Sequence, residues 1–409
     1  MLSPRGVAVF CAGLAMWLSA RILGSPGLEV IGIGLGALPF IAVAFAKWNR
    51  SRLTVRRHLS DVRATPGARV TVTLELENRS VAPTSFLLLE DRLPPSLGRP
   101  ARLVVSSIRP RAVREVRYAV VAQARGRYPL GPLSVELADP FSLTRQRVVF
   151  HQLDELLVTP EVEDLSRVPD PASGNAFGAS RATQLFRTGE EFYTMRPYQE
   201  GDDLRRIHWA SVARTGTLMI RQDETARRAN ALVFLDSRQQ ALGQIHSPAF
   251  ERAVSAAASI GVLLAGAGFT LRLATADTPS AALSEERFLE ALAGVEHTIS
   301  RTIAPSLTNL RASASPDTTL ILVAAPPAPT ELTALMRAGA GFGPKLAVLV
   351  YPIEPSTLPV ERSAQLEGRA TQARLAMTRG GWDCLVLPPS ARLAERWHAP
   401  RERLLASSV

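Results

Sequence analysis

The sequence predicts a multidomain protein: two transmembrane helices, then a β-sandwich-like domain, then an α/β doubly wound domain. Three observations carry this expectation. Two long apolar runs fill the first fifty residues, short alternating segments with frequent turn signals follow to residue 150, and from residue 231 apolar strands alternate with helical stretches. A chain of 409 residues has room for two or three such domains. Its 46% hydrophobic and 21% charged residues are ordinary for a globular protein, which excludes global disorder.

The helical hairpin is expected over residues 1–50. Residues 7–20 are nearly all apolar between Arg5 and Arg21, and residues 28–46 form a second run with one acid, Glu29, at its start. About 20 apolar residues cross a bilayer as a helix, and Arg21 can snorkel to extend the shorter run. The seven residues 21–27 leave room for a tight link. Gly32 and Gly36, four apart, give the second helix a small-residue face for packing against the first, and Pro39 kinks it mildly. The run Gly32-Ile33-Gly34-Leu35-Gly36-Ala37 also mimics a dinucleotide-binding loop, but it lies inside an apolar span without a flanking strand. Leu18-Ser19-Ala20 resembles a signal-peptidase site, so a cleaved leader is the alternative to a retained first helix.

Lys47, Arg50, Arg52, Arg56 and Arg57 follow the second run with no acid among them. The positive-inside rule places that segment, and the soluble bulk after it, on the cytoplasmic side of a cell membrane. The two cysteines agree: Cys11 lies in an apolar run and Cys384 in an expected strand, so no disulfide framework is expected. The net charge is +10. Aromatics make up only 6% and are not interleaved with basic clusters, as a single-strand binder requires. The expected partner of this charge is an anionic membrane surface, with no nucleic acid.

The β-sandwich-like domain is expected over residues 51–165. Its clearest strand is 69–78, where Val70, Val72, Leu74 and Leu76 alternate with Thr71, Thr73, Glu75 and Glu77. Further strands are expected at 85–90, 102–106, 115–122 and 133–137, punctuated by Pro94-Pro95, Gly98, Pro110, Gly126 and Gly131-Pro132. No catalytic cluster is visible there, which suits a spacer or docking role. Residues 166–188, with Pro169, Pro171, Ser173, Gly174 and Gly178, read as a linker.

The α/β domain is expected over residues 231–409, with strands at 231–235, 269–274, 319–324, 346–351 and 382–387. Helices are expected at 250–267, after an N-cap at Ser284 backed by Glu285 and Glu286, and at 362–379 before Gly380-Gly381. Apolar strands alternating with helices form a parallel sheet covered on both faces. Such sheets bind ligands at the carboxyl ends of their strands, and the first strand ends at Asp236.

The segment 189–230 between the domains is the most distinctive. It contains Gly189-Glu190-Glu191-Phe192, Arg196-Pro197-Tyr198, then Gly201-Asp202-Asp203-Leu204-Arg205-Arg206-Ile207-His208-Trp209, and Ala213-Arg214-Thr215. Gly201 permits a turn, and Asp202 or Asp203 is expected to cap a helix starting at Leu204 that buries Leu204, Ile207 and Trp209. Arg205 and Arg206 can pair with Asp202, Glu200 or Glu191. One reading makes Asp202, Asp203 and His208 an acid–base site, hence a hydrolase. The other makes the segment an ion-paired, capped element that binds a partner. The second is preferred, because no nucleophile motif, phosphate loop or zinc spacing lies nearby and the six histidines are scattered.

This segment resembles the signature of the bacterial family of unknown function numbered fifty-eight. The matching pieces are Glu191-Phe192, Arg196-Pro197-Tyr198, Gly201 to Trp209, Ala213-Arg214-Thr215 and the strand 217–221, with His208 where the family often has Asp. Gly126-Arg127-Tyr128 and Asp139-Pro140-Phe141 look like the end of that family's β domain. The resemblance implies that the α/β domain is von Willebrand factor A-like, that Glu191, Arg196, Tyr198, Gly201, Asp202, Asp203, Arg205, Trp209 and Arg214 form an interaction surface, and that a MoxR-type AAA+ ATPase is a partner. Such domains often chelate Mg²⁺ through Asp-x-Ser-x-Ser. Here the stretch is Asp236-Ser237-Arg238-Gln239-Gln240, so a degenerate site with no metal and no cofactor is expected. Together these readings predict a non-enzymatic membrane-anchored adaptor or assembly factor. The alternatives are the hydrolase, or a metal-dependent ligand-binding module at Asp236.

Overall fold

The computed structural model describes residues 3–50, 52–81, 83–84, 86–138, 143, 145–166, 193–199, 202–203, 207–223 and 229–397. The expected linker 166–188 lies outside these but for Ser166, and Asp139, Pro140 and Phe141 lie outside them entirely. The chain divides into two compact units, Met1–Thr159 and Pro160–Val409.

The first unit opens with α1 (Pro4–Leu23) and α2 (Pro26–Arg50). Ser3 caps α1 by accepting from the Gly6 N–H, and Pro4 fits the first turn, where its missing donor costs nothing. Gly24, at φ 62, ends α1 and returns its N–H to the Ala20 carbonyl. Only Gly24 and Ser25 therefore link the helices, a tighter turn than the seven-residue link expected, because a glycine cap lets helix run up to the turn itself. Both helices are long and apolar enough to cross a membrane, with mean hydropathies of 1.8 and 1.9. Their seam is built on backbone. A Cβ on Gly32 would stand 2.7 Å from the Trp17 nitrogen, and one on Gly13 would stand 2.5 Å from the Gly36 nitrogen. Gly32 thus faces α1 as expected, but a Cβ on Gly36 would meet nothing within 4 Å; it is the Gly36 backbone that packs, against Gly13.

Ten strands follow: β1 (Leu53–Leu59), β2 (Arg63–Ala64), β3 (Arg69–Asn78), β4 (Leu87–Asp91), β5 (Ala101–Val105), β6 (Val113–Val121), β7 (Gly126–Leu130), β8 (Leu133–Ala138), β9 (Arg145–Phe150) and β10 (Asp154–Val158). They form sheets β1-β3-β6, β5-β4-β8-β9 and β2-β10-β7. The alternation in β3 puts Val70, Val72, Leu74 and Leu76 into one core with Leu87, Leu89, Val135 and Leu156.

Arg57 is a correction. The sequence counted it with the juxtamembrane cations, yet its side chain is 4% exposed. Its guanidinium meets Asp91 (Nη2–Oδ1 2.6 Å), Asp154 (Nη1–Oδ2 2.6 Å) and the Leu130 carbonyl (3.1 Å). Tyr118 donates to the same Asp91 at 2.6 Å. Arg57 and Tyr118 come from the first sheet, Asp91 from the second, and Asp154 and Leu130 from the third, so one cluster ties all three. Burial works to lower the Arg57 pKa, but the hydrogen bonds and charge of Asp91 and Asp154 outweigh it and leave it raised. Burial and the Asp91 charge push the Tyr118 phenol well above its ordinary value.

The second unit starts at residue 160, not at the linker expected after 165. The Glu161 carbonyl accepts from Ser255 Oγ (2.8 Å), the Glu163 N–H donates to Ser259 Oγ (2.9 Å), and Leu165 is buried in this unit's core. Glu163 also pairs with Arg252 (2.7 Å) and accepts from the Ala394 N–H (2.9 Å). Ion pairs reaching so far along the chain drew no local signal.

Next come β11 (Tyr193–Pro197), α3 (Trp209–Thr215) and β12 (Met219–Asp223), with β11 and β12 antiparallel. The α/β core then runs β13 (Asn230–Leu235), α4 (Gln239–Leu242), α5 (Pro248–Gly266), β14 (Thr270–Thr275), β15 (Ala281–Leu283), α6 (Glu285–Ala293), α7 (Ala304–Ala312), β16 (Thr318–Ala324), α8 (Pro329–Gly339), β17 (Lys345–Val350), α9 (Val360–Arg379), β18 (Asp383–Leu387) and α10 (Leu393–Trp397). The sheet order is β15-β14-β13-β16-β17-β18, parallel except for the edge strand β15. Strand order reverses at β13, the switch point of a doubly wound sheet. Every residue of β16 is buried, as a sheet covered on both faces requires. Helix α5 has the length and apolarity of a span, but 67% of it is buried in this unit, against 17% for α1 and α2. It is a core helix.

Candidate functional site

The carboxyl end of β13 sits at the switch point, where doubly wound sheets bind ligands. The Asp236 N–H donates to the Val323 carbonyl of β16 at 2.9 Å, which extends the ladder one residue past the strand. The next residues are held from the side. Thr298 donates to the Ser237 carbonyl and accepts from the Gln239 N–H, both at 2.8 Å, and the Gln240 amide donates to the Arg301 carbonyl. Asp236, Ser237 and Arg238 are all buried, at 1%, 2% and 3% exposure.

Arg238 folds back over Asp236. Its Nε and Nη2 donate to the two carboxylate oxygens at 2.9 and 2.8 Å, and its backbone N–H reaches Oδ1 at 3.2 Å. Its Nη1 donates to Glu331 Oε1, in the first turn of α8, at 2.6 Å. Burial works to lower the Arg238 pKa, but the hydrogen bonds and charges of Asp236 and Glu331 prevail and raise it, so the guanidinium stays charged. Mg²⁺ takes oxygen ligands in a near-octahedral array. Both oxygens of Asp236 here serve the guanidinium fork, and Gln240 is committed to Arg301. These residues do not fit a magnesium ion; a fixed organic cation stands over the carboxylate instead.

The signature segment forms a hairpin with a helical turn at its tip. Arg196 lies in β11 opposite Ile220 of β12, the Tyr198 N–H donates to the Leu218 carbonyl at 2.8 Å, and Ile207 bridges to Ile220. Glu191, Gly201, Leu204, Arg205 and Arg206 lie outside the described residues. The helix starts at Trp209, not at Leu204, and neither Asp202 nor Asp203 caps it. The cap is His208: its Nδ1 accepts from the Ser211 N–H at 3.3 Å and lies 2.9 Å from Ser211 Oγ. Asp202 instead accepts from the Gln199 N–H at 2.9 Å and closes the preceding turn. Trp209 was expected to be buried but is 68% exposed, because Ser211 and Ile220 occupy the inward positions. Arg214 is exposed in the last turn of α3, where a cation suits the helix dipole.

Asp is a preferred N-cap because its oxygen accepts from the second or third helical N–H. A deprotonated imidazole nitrogen does the same. Position 208 therefore performs a capping task open to either residue, which explains why His can stand where the resembled family often has Asp. Sequence reasoning missed Glu331, Thr298, Ser211 and Glu163. Only Ser211, three residues past His208, carried a local signal.

Residues 194–298 match the family model described as "Protein of unknown function DUF58". The uncharacterized protein YeaD of Bacillus subtilis (strain 168) is 26% identical over 241 residues, which cover 56% of this chain and 58% of that protein. The chain thus spans less than two thirds of that relative. Among solved structures, the CARDB domain of the PF1109 protein of Pyrococcus furiosus, in complex with di-metal ions, is 13% identical. It covers 26% of this chain and 86% of its own, with a TM-score of 0.20. The alkylpurine DNA glycosylase AlkC of Pseudomonas fluorescens, bound to DNA, is 13% identical over 30% of this chain and 38% of its own, with a TM-score of 0.17. At such scores neither likeness carries an argument.

Proposed function

We propose that this chain is a non-enzymatic membrane-anchored adaptor or assembly factor, fixed by α1 and α2 with its soluble bulk in the cytoplasm. Its α/β domain is von Willebrand factor A-like and docks a protein partner, a MoxR-type AAA+ ATPase. The observation that carries this reading is the Asp236–Arg238–Glu331 cluster. It fills the ligand-binding end of a doubly wound sheet with an internal cation, which suits a preset docking surface better than a metal-gated one. The signature hairpin supports the same reading, since Asp202 and His208 each serve a backbone N–H of their own turn. Exposed Trp209 and Arg214 are of the types enriched at interaction hot spots.

The test is capture of the tagged full-length chain from membranes. An ATPase of the MoxR type should co-purify, and Trp209→Ala should weaken its capture without lowering the melting temperature. A reporter active only outside the cytoplasm, fused after Val409, should stay silent. A turnover activity that His208→Ala abolishes while leaving the melt unchanged would overturn the adaptor reading.

A further inference from the structure

We propose that the end of the β domain nearest the helices is a lipid-facing surface that rests on anionic headgroups, so that this domain lies on the membrane rather than spacing the chain away from it. The proposal rests on anchorage by α1 and α2. The connection is short: α2 ends at Arg50 and β1 begins at Leu53. Helix α2 packs against β8 and β9, and the Ser3 N–H at the start of α1 donates to the Leu143 carbonyl between them at 2.8 Å. The apolar run ends at Ala46. Four more helical residues advance about 6 Å, which matches the headgroup layer on one side of a bilayer, about 5–7 Å.

Strand register identifies what else lies at this end. Leu53 pairs with Asn78, Glu77 with Val113, and Leu87 with both Val105 and Leu137. The β3–β4, β5–β6 and β8–β9 connections therefore share one end with the helices. The first two are stitched together: Asn78 Nδ2 donates to the Ile108 carbonyl at 3.1 Å and the Thr84 N–H to the same oxygen at 3.0 Å. The Arg79 N–H donates to the Arg52 carbonyl at 2.8 Å, which binds this rim to the chain leaving α2.

The rim's chemistry suits a lipid interface. Val81, Phe86 and Val113 are 61%, 70% and 52% exposed. Arg109, Arg111 and Arg114 are exposed beside them on the β5–β6 connection and the start of β6. Arg111 holds φ 56, a left-handed conformation disfavoured for a side chain of its size. Apolar side chains among cations are what an anionic interface takes up, the apolar groups entering the acyl boundary and the guanidiniums staying at the phosphates.

The charge distribution points the same way. Residues 1–159 hold 21 Lys and Arg against 11 Asp and Glu, whereas residues 160–409 hold 26 of each. The whole excess thus belongs to the unit that carries the apolar helices. A single-strand nucleic-acid binder would stack aromatics along a basic groove, and among the described residues of the three connections Phe86 is the one aromatic.

The test uses the full chain in nanodiscs of phosphatidylcholine with or without phosphatidylglycerol, in a Cys11→Ser, Cys384→Ser background. An environment-sensitive dye is placed at Phe86→Cys, or at Ser96→Cys on the opposite end of the domain. The Phe86 probe should shift to the blue in anionic discs and return in high salt, with the Ser96 probe unmoved. Arg109→Gln, Arg111→Gln and Arg114→Gln together should weaken the anionic preference by about a hundredfold at low salt, about fivefold for each cation. A Phe86 probe that reports water in both lipids would overturn the proposal even if the triple variant does not fold. So would a Ser96 probe that responds equally, or an oligonucleotide that shifts the Phe86 probe more strongly than anionic lipid does. A chain that never enters the discs would refute the anchorage, and the proposal with it.

Discussion

Arg238→Ala removes the cation that stands over Asp236. The wild-type guanidinium makes two bonds to that carboxylate, at 2.9 and 2.8 Å, and one to Glu331 at 2.6 Å. Asp236 is 1% exposed beneath that guanidinium, so its desolvated carboxylate depends on those donors. Removing one partner of a buried ion pair costs about 3–5 kcal/mol, most of it the stranded charge. For a unit of this size each kcal/mol lowers the melting temperature by about 2–4 °C, so roughly 6–20 °C is expected. Asp236→Asn with Arg238→Met removes both charges at similar volume and should recover most of that loss. The singles and the double form a cycle, and residues in contact should couple by about 0.5–3 kcal/mol.

The assay is a set of thermal and denaturant melts of the full chain in detergent. A loss below about 1 kcal/mol for Arg238→Ala, or full additivity in the cycle, would refute the claim that the pair organises this end of the sheet. Magnesium supplies a second arm. A ligand at 100 times its dissociation constant stabilises the native state by about 2.7 kcal/mol, and no such rise is expected in the wild type. Arg238→Ser with Gln240→Ser, which restores hydroxyls at both positions, is the variant in which a magnesium response should appear. A saturable wild-type rise that vanishes in Asp236→Ala would show that the guanidinium yields to the ion.

Three other outcomes are expected. His208→Ala should lower stability by about 0.5–2 kcal/mol, the cost of a lost N-cap, while His208→Asp should melt like the wild type; the reverse order would refute the capping role. Gly13→Leu should lower the melting temperature in detergent because its side chain would drive into the α2 backbone, whereas Gly34→Leu should not, since nothing lies within 4 Å of a Cβ there. The Tyr118 phenol has a folded pKa raised above its ordinary 10.0, so the folded state holds that proton longer than the unfolded one. Its contribution is complete below pH 10.0 and falls as pH rises above it. Tyr118→Phe should therefore flatten the alkaline loss of stability while costing about 1.5–3 kcal/mol at neutral pH; unchanged alkaline melts would contradict this.

Periodicity made much of the fold legible. The alternation in 69–78 and the apolar runs of β13, β16 and β17 were visible because each strand's burial is written into its own residues. Alternating strands and helices gave the doubly wound class and the position of Asp236 after the first strand, whereas the strand order is seen only in the structure. Strands β2 and β15 were not legible, since two or three residues cannot establish a period. The helix at Trp209 was misplaced because two adjacent acids are a stronger local capping signal than a histidine, and the first of them, Asp202, was already committed to closing the turn at Gln199.

Charge was the least transparent feature, for a physical reason. Arg57 and Arg238 are both arginines near apolar sequence, and by composition each counts as one surface cation. Arg57 is answered by Asp91 and Asp154, the latter 97 residues away, and Arg238 by Asp236 and by Glu331, 93 residues away. A guanidinium loses its hydration on burial, and at these two positions carboxylates replace it. Its role is therefore set by residues that the chain brings together only after the sheets have formed. The same reasoning separates these two from Arg109, Arg111 and Arg114. Those three stay at the surface, on the one end of the β domain that α1 and α2 also reach. Of the net +10, it is such exposed cations rather than the buried ones that remain available to an anionic partner.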